Sequence, residues 1–380
     1  MKRLLHNACV LTDAGFDRDV SVLIENDRII AMGSLRQLHD VEIESHDLHG
    51  AYLVPGFIDC QVNGGGDVLF NDDPSVETIA RIAQAHRQFG TTGFLPTLIS
   101  SDDDTMRAAM EAVDRAIEQR VPGVLGIHLE GPFLAAARKG VHDAGMFRAP
   151  SRKEIELVCS LKYGRTLLTV APECVPPETI RELSERGVIV SLGHAAADYA
   201  QTRAALDAGA RGFTHLFNAM TPLGSREPGV VGAALEDPDS FCGVIMDGFH
   251  AHVATLRIAL AAKPRGRIFL VTDAMPPVGG ARTHFELGER IIDCRDGRCT
   301  TSDGTLAGSA LDMATAVRNT VTQIGEPLAE AVRMATTYPA DFLRSFDRGR
   351  IAPDCRADFV VLSENLEVRE TWIGGERFAG

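Results

Sequence analysis

The chain has 380 residues, 45% of them hydrophobic, with 36 glycines and a formal charge of −14. Its length suits either two or three average domains or one large α/β barrel, and its composition suits a buried core with many turns. The acidic balance, without any cluster of Lys and Arg, excludes a nucleic-acid surface, which needs grouped cations for phosphate contacts, but leaves room for a small anion held by a few local charges.

In chain order, the first fifty residues alternate apolar and polar, as in LLHNACVLT and SVLIENDRIIAMG, with a turn signal at Glu25-Asn26-Asp27. This pattern predicts a small antiparallel sheet. Strand then helix repeats from residue 53 onward, with strands predicted at 53–59, 93–98, 123–129, 167–172, 188–193, 212–216, 242–247 and 267–272. Helical spacing of three and four lies between them, as in Ile79, Ile82, Ala83 and His86, then Met106, Met110, Val113 and Ile117. Residues 281–307 interrupt this period with a predicted hairpin, ERIIDCRDGRCTT. The chain closes on two more strand patterns, ADFVVLS at 357–363 and ETWIGGERF at 370–378.

Eight strands, each followed by a helix, predict a (β/α)8 TIM-like barrel over 54–345. Pairing between the chain ends predicts a small β-sandwich domain from 1–53 and 346–380. Polar residues fall at or just past nearly every barrel strand: Asp59, Gln61, Asn63, Thr97, Glu130, Glu173, His194, His215, Asp247 with His250, and Asp273. An open doubly wound sheet would gather its ligands at one switch point instead, so this spread favours the barrel.

No apolar run approaches the roughly 18 residues of a membrane span, so no membrane association is expected. The opening MKRLLHNACVLTD is broken at His6 and Asn7 and lacks a signal-peptide core. The eight cysteines, at 9, 60, 159, 174, 242, 294, 299 and 355, show no CxxC spacing. Neither a disulfide framework nor a zinc knuckle is indicated, and a reducing cytoplasm is the expected location.

The chemistry lies in HLEGPF at 128–133, GHAAAD at 193–198, THLFNAM at 214–220 and VTDAM at 271–275. Glu130, His194 and His215 supply one carboxylate and two imidazoles, the ligand set of an open catalytic zinc or iron site. A lone histidine at a strand end is more often a satisfied core residue. Three such residues on strands three, five and six reverse those odds, because one shared metal satisfies all of them. Asp273 is then a free carboxylate placed to take a proton from water and return it to a leaving amine. His142, in KGVHDAG, sits on the loop after strand three, within reach of a substrate carbonyl. Arg226 in GSREPG and His250 in DGFH are isolated cations that invite an anionic substrate group or serve as ordinary surface charge. The NGGGD loop at 63–67 lacks the Lys-Ser/Thr of a P-loop and reads as a rim.

Taken together, PGFIDCQVNG at 55–64, HLEGPF, KGVH, GHAAADY, THLFNAMTP, REPG, MDGFH, LVTDA, DGTLAGS at 303–309 and MATTYPA at 334–340 cover almost the whole chain in order. With them the chain resembles the N-acetylglucosamine-6-phosphate deacetylase family of the amidohydrolase superfamily. The resemblance implies hydrolysis of the N-acetyl group to give glucosamine 6-phosphate and acetate. It implies a metal held by Glu130, His194 and His215, proton transfer by Asp273, and polarisation of the acetyl carbonyl by His142. The 6-phosphate is implied to meet His250, backbone groups near Asn218 and Ala219, and Arg226 reaching across from the second subunit of a homodimer. One departure stands out: the superfamily's His-x-His after strand one is here Gln61-Val62-Asn63. Amides are poor zinc ligands beside imidazole, so the second metal position is expected to be vacant. One divalent ion per chain is expected, zinc first, with iron and other divalent metals open. The rival readings are deacetylation of the galactosamine epimer, opening of a cyclic amide, and a non-catalytic scaffold.

Overall fold

A computed structural model describes residues 2–38 and 43–379. Among these residues, eight parallel strands form the central sheet: Phe57–Val62, Thr91–Ile99, Gly126–Glu130, Arg165–Val170, Ile189–Leu192, Gly212–Phe213, Phe241–Ile245 and Ile268–Val271. Each pairs with the next in sequence, the order of a singly wound barrel. Nearly every residue of these strands is buried. That is why they read as continuous apolar runs rather than as alternating ones: helices cover the outer face and side chains fill the inner one.

The helices follow their sequence patterns. Asp102 accepts a hydrogen bond from the Thr105 amide and starts the helix Asp103–Glu118, which buries Met106, Met110 and Val113. Capping boxes at Ser151 and Asp198 start two further helices. Helix Val76–Arg87 buries Ile79, Ile82, Ala83 and His86, as its spacing predicts.

Two sheets made from the chain ends stack beside the barrel. One contains Lys2–His6, Ser21–Glu25, Arg28–Gly33 and Glu44–Asp47; the other contains Cys9–Thr12, Gly15–Asp17, Tyr52–Pro55, Phe359–Leu362, Val368–Ile373 and Glu376–Ala379. Leu5, Val22 and Ile24 of the first meet Val10, Leu53, Phe359 and Trp372 of the second in one apolar cluster, so the ends form a sandwich. The sheets are mixed rather than antiparallel throughout, because Lys2–His6 pairs parallel with Glu44–Asp47 and Cys9–Thr12 pairs parallel with Tyr52–Pro55. The expected strand 53–59 is divided at Gly56. Before it the chain pairs with Phe359–Leu362, and after it with Thr91–Ile99. A Cβ at Gly56 would lie 2.0 Å from Thr92 Oγ1, so only glycine lets the chain cross from one sheet to the other there.

The predicted hairpin after strand eight is a four-stranded antiparallel sheet: His284–Leu287, Arg290–Arg295, Arg298–Thr300 and Leu306–Ser309. It carries a correction. Cys294 and Cys299 form a disulfide, contrary to the expectation of none. Asp296 and Gly297, at φ of 50° and 81°, make a tight turn that brings Cys294 directly opposite Cys299, with Cα atoms 4.1 Å apart. A spacing of five residues gives no CxxC signal, and only the strand register reveals the pairing.

Strands one and eight meet through a side chain as well as backbone. Asp59 accepts from Thr272 Oγ1 at 2.5 Å, from the Thr272 amide at 3.2 Å and from the Gln61 amide at 3.2 Å. Backbone bonds from Asp273 to Gln61 and from Asn63 to Ala274 complete the seam. Burial pushes the Asp59 carboxyl up to about 7 despite these donors. Replacing Asp59 by Ala strands three buried donors, so Asp59→Ala is expected to lower unfolding stability by about 2 kcal/mol or more. Urea titration followed by circular dichroism measures this, and a loss below about 0.5 kcal/mol would show that backbone bonds alone hold the seam.

Candidate active site

The polar residues at the strand ends converge on one side of the barrel. Glu130 is the last residue of strand three, whereas His194, His215 and Asp273 each lie two residues past the end of strands five, six and eight. All three of these adopt left-handed backbone, with φ of 48°, 36° and 52°. Non-glycine residues pay for this conformation in strain, which persists only where the surrounding structure over-determines it. Here it turns each side chain inward at the point where the strand leaves the ladder.

Glu130 Oε1 lies 3.2 Å from His194 Nε2 and 2.9 Å from His215 Nε2, and the two nitrogens are 3.1 Å apart. His194 Nδ1 is 2.8 Å from the carbonyl oxygen of Arg138. An N–H must occupy that contact, which leaves a lone pair on Nε2 aimed at Glu130 and His215. Two imidazole nitrogens and a carboxylate oxygen facing one another across about 3 Å suit a shared cation better than a set of hydrogen bonds. Glu130, His194 and His215 thus form a group able to hold a metal ion. Burial would raise the Glu130 carboxyl, but the two imidazoles beside it outweigh burial and hold the group well below the usual range. His215 is raised by the same contact, against its own burial.

Asp273 stands beside this group. Its Oδ1 accepts from Asn63 Nδ2 at 2.6 Å and from Gln61 Nε2 at 3.1 Å. Gln61 Nε2 also lies 3.2 Å from both oxygens of Glu130. The Gln61-Val62-Asn63 stretch therefore places one amide donor between the buried carboxylates and a second on Asp273 alone. Burial first, then the charge of Glu130, raises the Asp273 carboxyl to about 6.

His142 packs against His194, with ring centroids 4.4 Å apart, and its Nε2 is 4.0 Å from Glu130 Oε2. Burial and the neighbouring His194 push its imidazole down to about 3. Ser100 Oγ lies 2.9 Å from His142 Nδ1 and fixes the ring. Under the site, His128 is bonded between Thr97 and Thr169, and a chain of hydroxyls continues through Thr214 to Ser191.

A cavity of about 620 Å³ opens over these residues, and its lining includes Glu130, His142, His194, His215, Asp273, Asn63, Asn218, Ala219 and His250. His250 Nδ1 is bonded to Asp247 Oδ2 at 2.6 Å, which leaves Nε2 for a ligand. The Asn218 side chain donates to the carbonyl oxygens of His215 and Leu216, and so shapes its loop. Arg226 is exposed and does not line this chain's cavity. Glu173 lies at the rim, where it accepts from the Ala196 amide at 2.5 Å and holds the loop after strand five.

Sequence reasoning missed Ser100, the Arg138 carbonyl and Arg298, all of which touch or line the site. Ser100 lies two residues past the predicted strand 93–98 and was open to the same strand-end argument. Arg138 lies in a segment without periodic signal, and Arg298 lies in the predicted hairpin, whose position over the cavity the sequence does not reveal.

Residues 52–378 match the family model described as "Amidohydrolase family". The chain is 46% identical over 324 residues to an N-acetylgalactosamine-6-phosphate deacetylase of Shewanella sp. (strain ANA-3), covering 85% of this chain and 82% of that one. It is 34% identical over 385 residues to an N-acetylglucosamine-6-phosphate deacetylase of Haemophilus influenzae, covering 99% of each. The crystal structure of N-acetylglucosamine-6-phosphate deacetylase from Pasteurella multocida superimposes with a TM-score of 0.96 at 34% identity, covering all of both chains. A match of this extent makes the chain a member of the amidohydrolase family, in the group that holds the N-acetylglucosamine- and N-acetylgalactosamine-6-phosphate deacetylases.

Proposed function

We propose that this protein hydrolyses the N-acetyl group of N-acetylglucosamine 6-phosphate, giving glucosamine 6-phosphate and acetate. The convergence of Glu130, His194 and His215 beside a free Asp273 carries this reading. In it, Glu130, His194 and His215 hold one divalent ion, zinc first, and Gln61 and Asn63 are the vacant second-metal position. The ion supplies Lewis acidity toward water and the acetyl carbonyl.

Asp273 is the general base. Gln61 and Asn63 occupy its Oδ1, so Oδ2 is the atom that accepts the proton of the attacking water. Water adds to the carbonyl carbon, the same carboxyl returns the proton to the amide nitrogen, and the C–N bond breaks to release the amine. A carboxyl raised to about 6 is a stronger base toward the proton of water than an ordinary aspartate, and it holds that proton until the amide nitrogen takes it. His142 is neutral, and in this mechanism it takes the tautomer with N–H on Nε2, its Nδ1 facing the Ser100 hydroxyl. That N–H donates to the acetyl oxygen as charge develops there.

His250, with backbone groups of Asn218 and Ala219, receives the 6-phosphate, and Arg226 reaches the same phosphate from the second subunit of a homodimer. The exposure of Arg226 outside its own chain's cavity supports that sharing. We place the enzyme in the cytoplasm, where sugar phosphates are confined by their charge. Among the described residues, no helix is long and apolar enough to cross a membrane. The acidic surface argues against nucleic acid as a partner. We also propose 1–53 with 346–380 as the small domain and 54–345 as the catalytic one.

A second reading, deacetylation of the galactosamine epimer, is favoured by the 46% identity to the Shewanella protein. The two epimers share the phosphate and the acetamido group and differ at one hydroxyl, so relative kcat/KM separates them. Acetate release from both 6-phosphates is expected before chelation and from neither afterwards, with about one metal equivalent per chain by elemental analysis. Two tightly held equivalents, both needed for activity, would overturn the single-metal reading. Glu130→Ala is expected to lose the metal.

Asp273→Asn is expected to keep the metal and the fold while kcat falls by roughly two orders of magnitude or more. Near-normal turnover at saturating substrate would remove Asp273 as the base. For the shared phosphate site, inactive Asp273→Asn chains mixed with Arg226→Ala chains under exchange should rebuild one intact site per heterodimer. Confirmed heterodimers without activity above the sum of the parents would place both residues in one chain.

A further inference from the structure

The sheet inserted after strand eight is absent from the mechanism above, yet its tip forms part of the cavity wall. Arg298 lines the cavity together with Leu306 of the next strand and Gly304 and Thr305 of the connection between them. The Asp296-Gly297 turn sets it directly opposite Arg295. Like charges directly opposite on paired strands are destabilising, and a sequence that keeps such a pair breaks a local rule. Among the described residues, neither guanidinium makes an ion pair or a side-chain hydrogen bond with the protein, on a chain that carries a net charge of −14. An anion beside them reverses the sign of the interaction.

The tip also has a defined neighbour. A Cβ on Gly297 would lie 3.8 Å from the ring of Phe249, the residue before His250. Phe249 and His250 both donate their amides to Asp247, so this loop and the turn meet as fixed pieces. Arg298 is thereby on the His250 side of the cavity.

We infer that Arg298 is a binding residue for the phosphate of the substrate, supplied by the same chain that holds Asp273, with Arg295 adding to the local positive potential. The inference rests on the deacetylase reading for the direction of the substrate, with its acetyl end at Glu130 and its phosphate end at His250. A planar guanidinium offers two parallel N–H donors to phosphate, and an ammonium in its place keeps the charge but loses the fork.

The test uses full-length, metal-loaded wild type, Arg298→Ala and Arg298→Lys. Inorganic phosphate binding is measured by calorimetry, and acetate release is measured with N-acetylglucosamine 6-phosphate, its galactosamine epimer and unphosphorylated N-acetylglucosamine. Arg298→Ala is expected to weaken phosphate binding about tenfold or more and to lower kcat/KM on the phosphorylated sugars by a similar factor, chiefly through KM. Activity on the unphosphorylated sugar should stay within about twofold, and Arg298→Lys should recover part of the loss. Equal proportional losses on phosphorylated and unphosphorylated sugars, unchanged phosphate binding in Arg298→Ala, or a wild type that binds no phosphate would each overturn the inference. If phosphate binding depends on Arg298 but no sugar releases acetate, the anion site stands and the deacetylase reading falls. If acetate is released equally well without Arg298, the reverse holds.

Discussion

Two carboxylates, Glu130 and Asp273, are buried almost side by side at the mouth of the barrel, and much of the nearby structure serves to make that tolerable. Isolated buried charge is costly, and like charges at close range raise each other's pKa. The carboxyl groups respond differently. Glu130 faces two imidazoles and is held ionised, while Asp273 receives only amide donors and is pushed up to about 6. One pair of acidic groups thus separates into a member held ionised and a member raised toward neutrality, a division set by neighbours rather than by residue type.

Supporting contacts account for features that look unrelated in isolation. The Gln61 amide donates to both Glu130 and Asp273, and the Asn63 amide donates to Asp273. The left-handed backbone at His194, His215 and Asp273 is local strain held in place by the barrel. Asp59 ties strand one to strand eight below the site, so the two elements that carry Gln61, Asn63 and Asp273 stay in register. The Arg138 carbonyl selects the tautomer of His194, and Ser100 Oγ holds the His142 ring in place.

Around this centre the fold distributes its other pieces by distance. The terminal sandwich has its own apolar cluster, centred on Val10, Leu53, Phe359 and Trp372. The inserted sheet packs Phe285, Leu287, Ile292, Cys294 and Cys299 with Leu69, Ile99 and Met275 of the barrel rim. It therefore roofs the cavity from one side, with its charged tip beside the Phe249–His250 loop. Loops of this kind vary substrate contacts while the strand ends beneath them keep the chemistry.

Sequence alone determined the barrel, the pairing of the chain ends, and the gathering of Glu130, His194, His215 and Asp273, because strand periodicity is local and a singly wound barrel puts all its strand ends on one rim. Tertiary structure decided what depends on register and on contacts far apart in the chain. The strand expected at 53–59 divides because Gly56 abuts Thr92, and Cys294 meets Cys299 because a two-residue turn aligns them. Arg226 reads in sequence as a cation for the site, yet the fold leaves it outside its own chain's cavity, while Arg298, which reads as part of a hairpin, lines it. Residue type sets what a side chain can do; which side chains share one space depends on how strands far apart in sequence are aligned, and that alignment exists only in the folded chain.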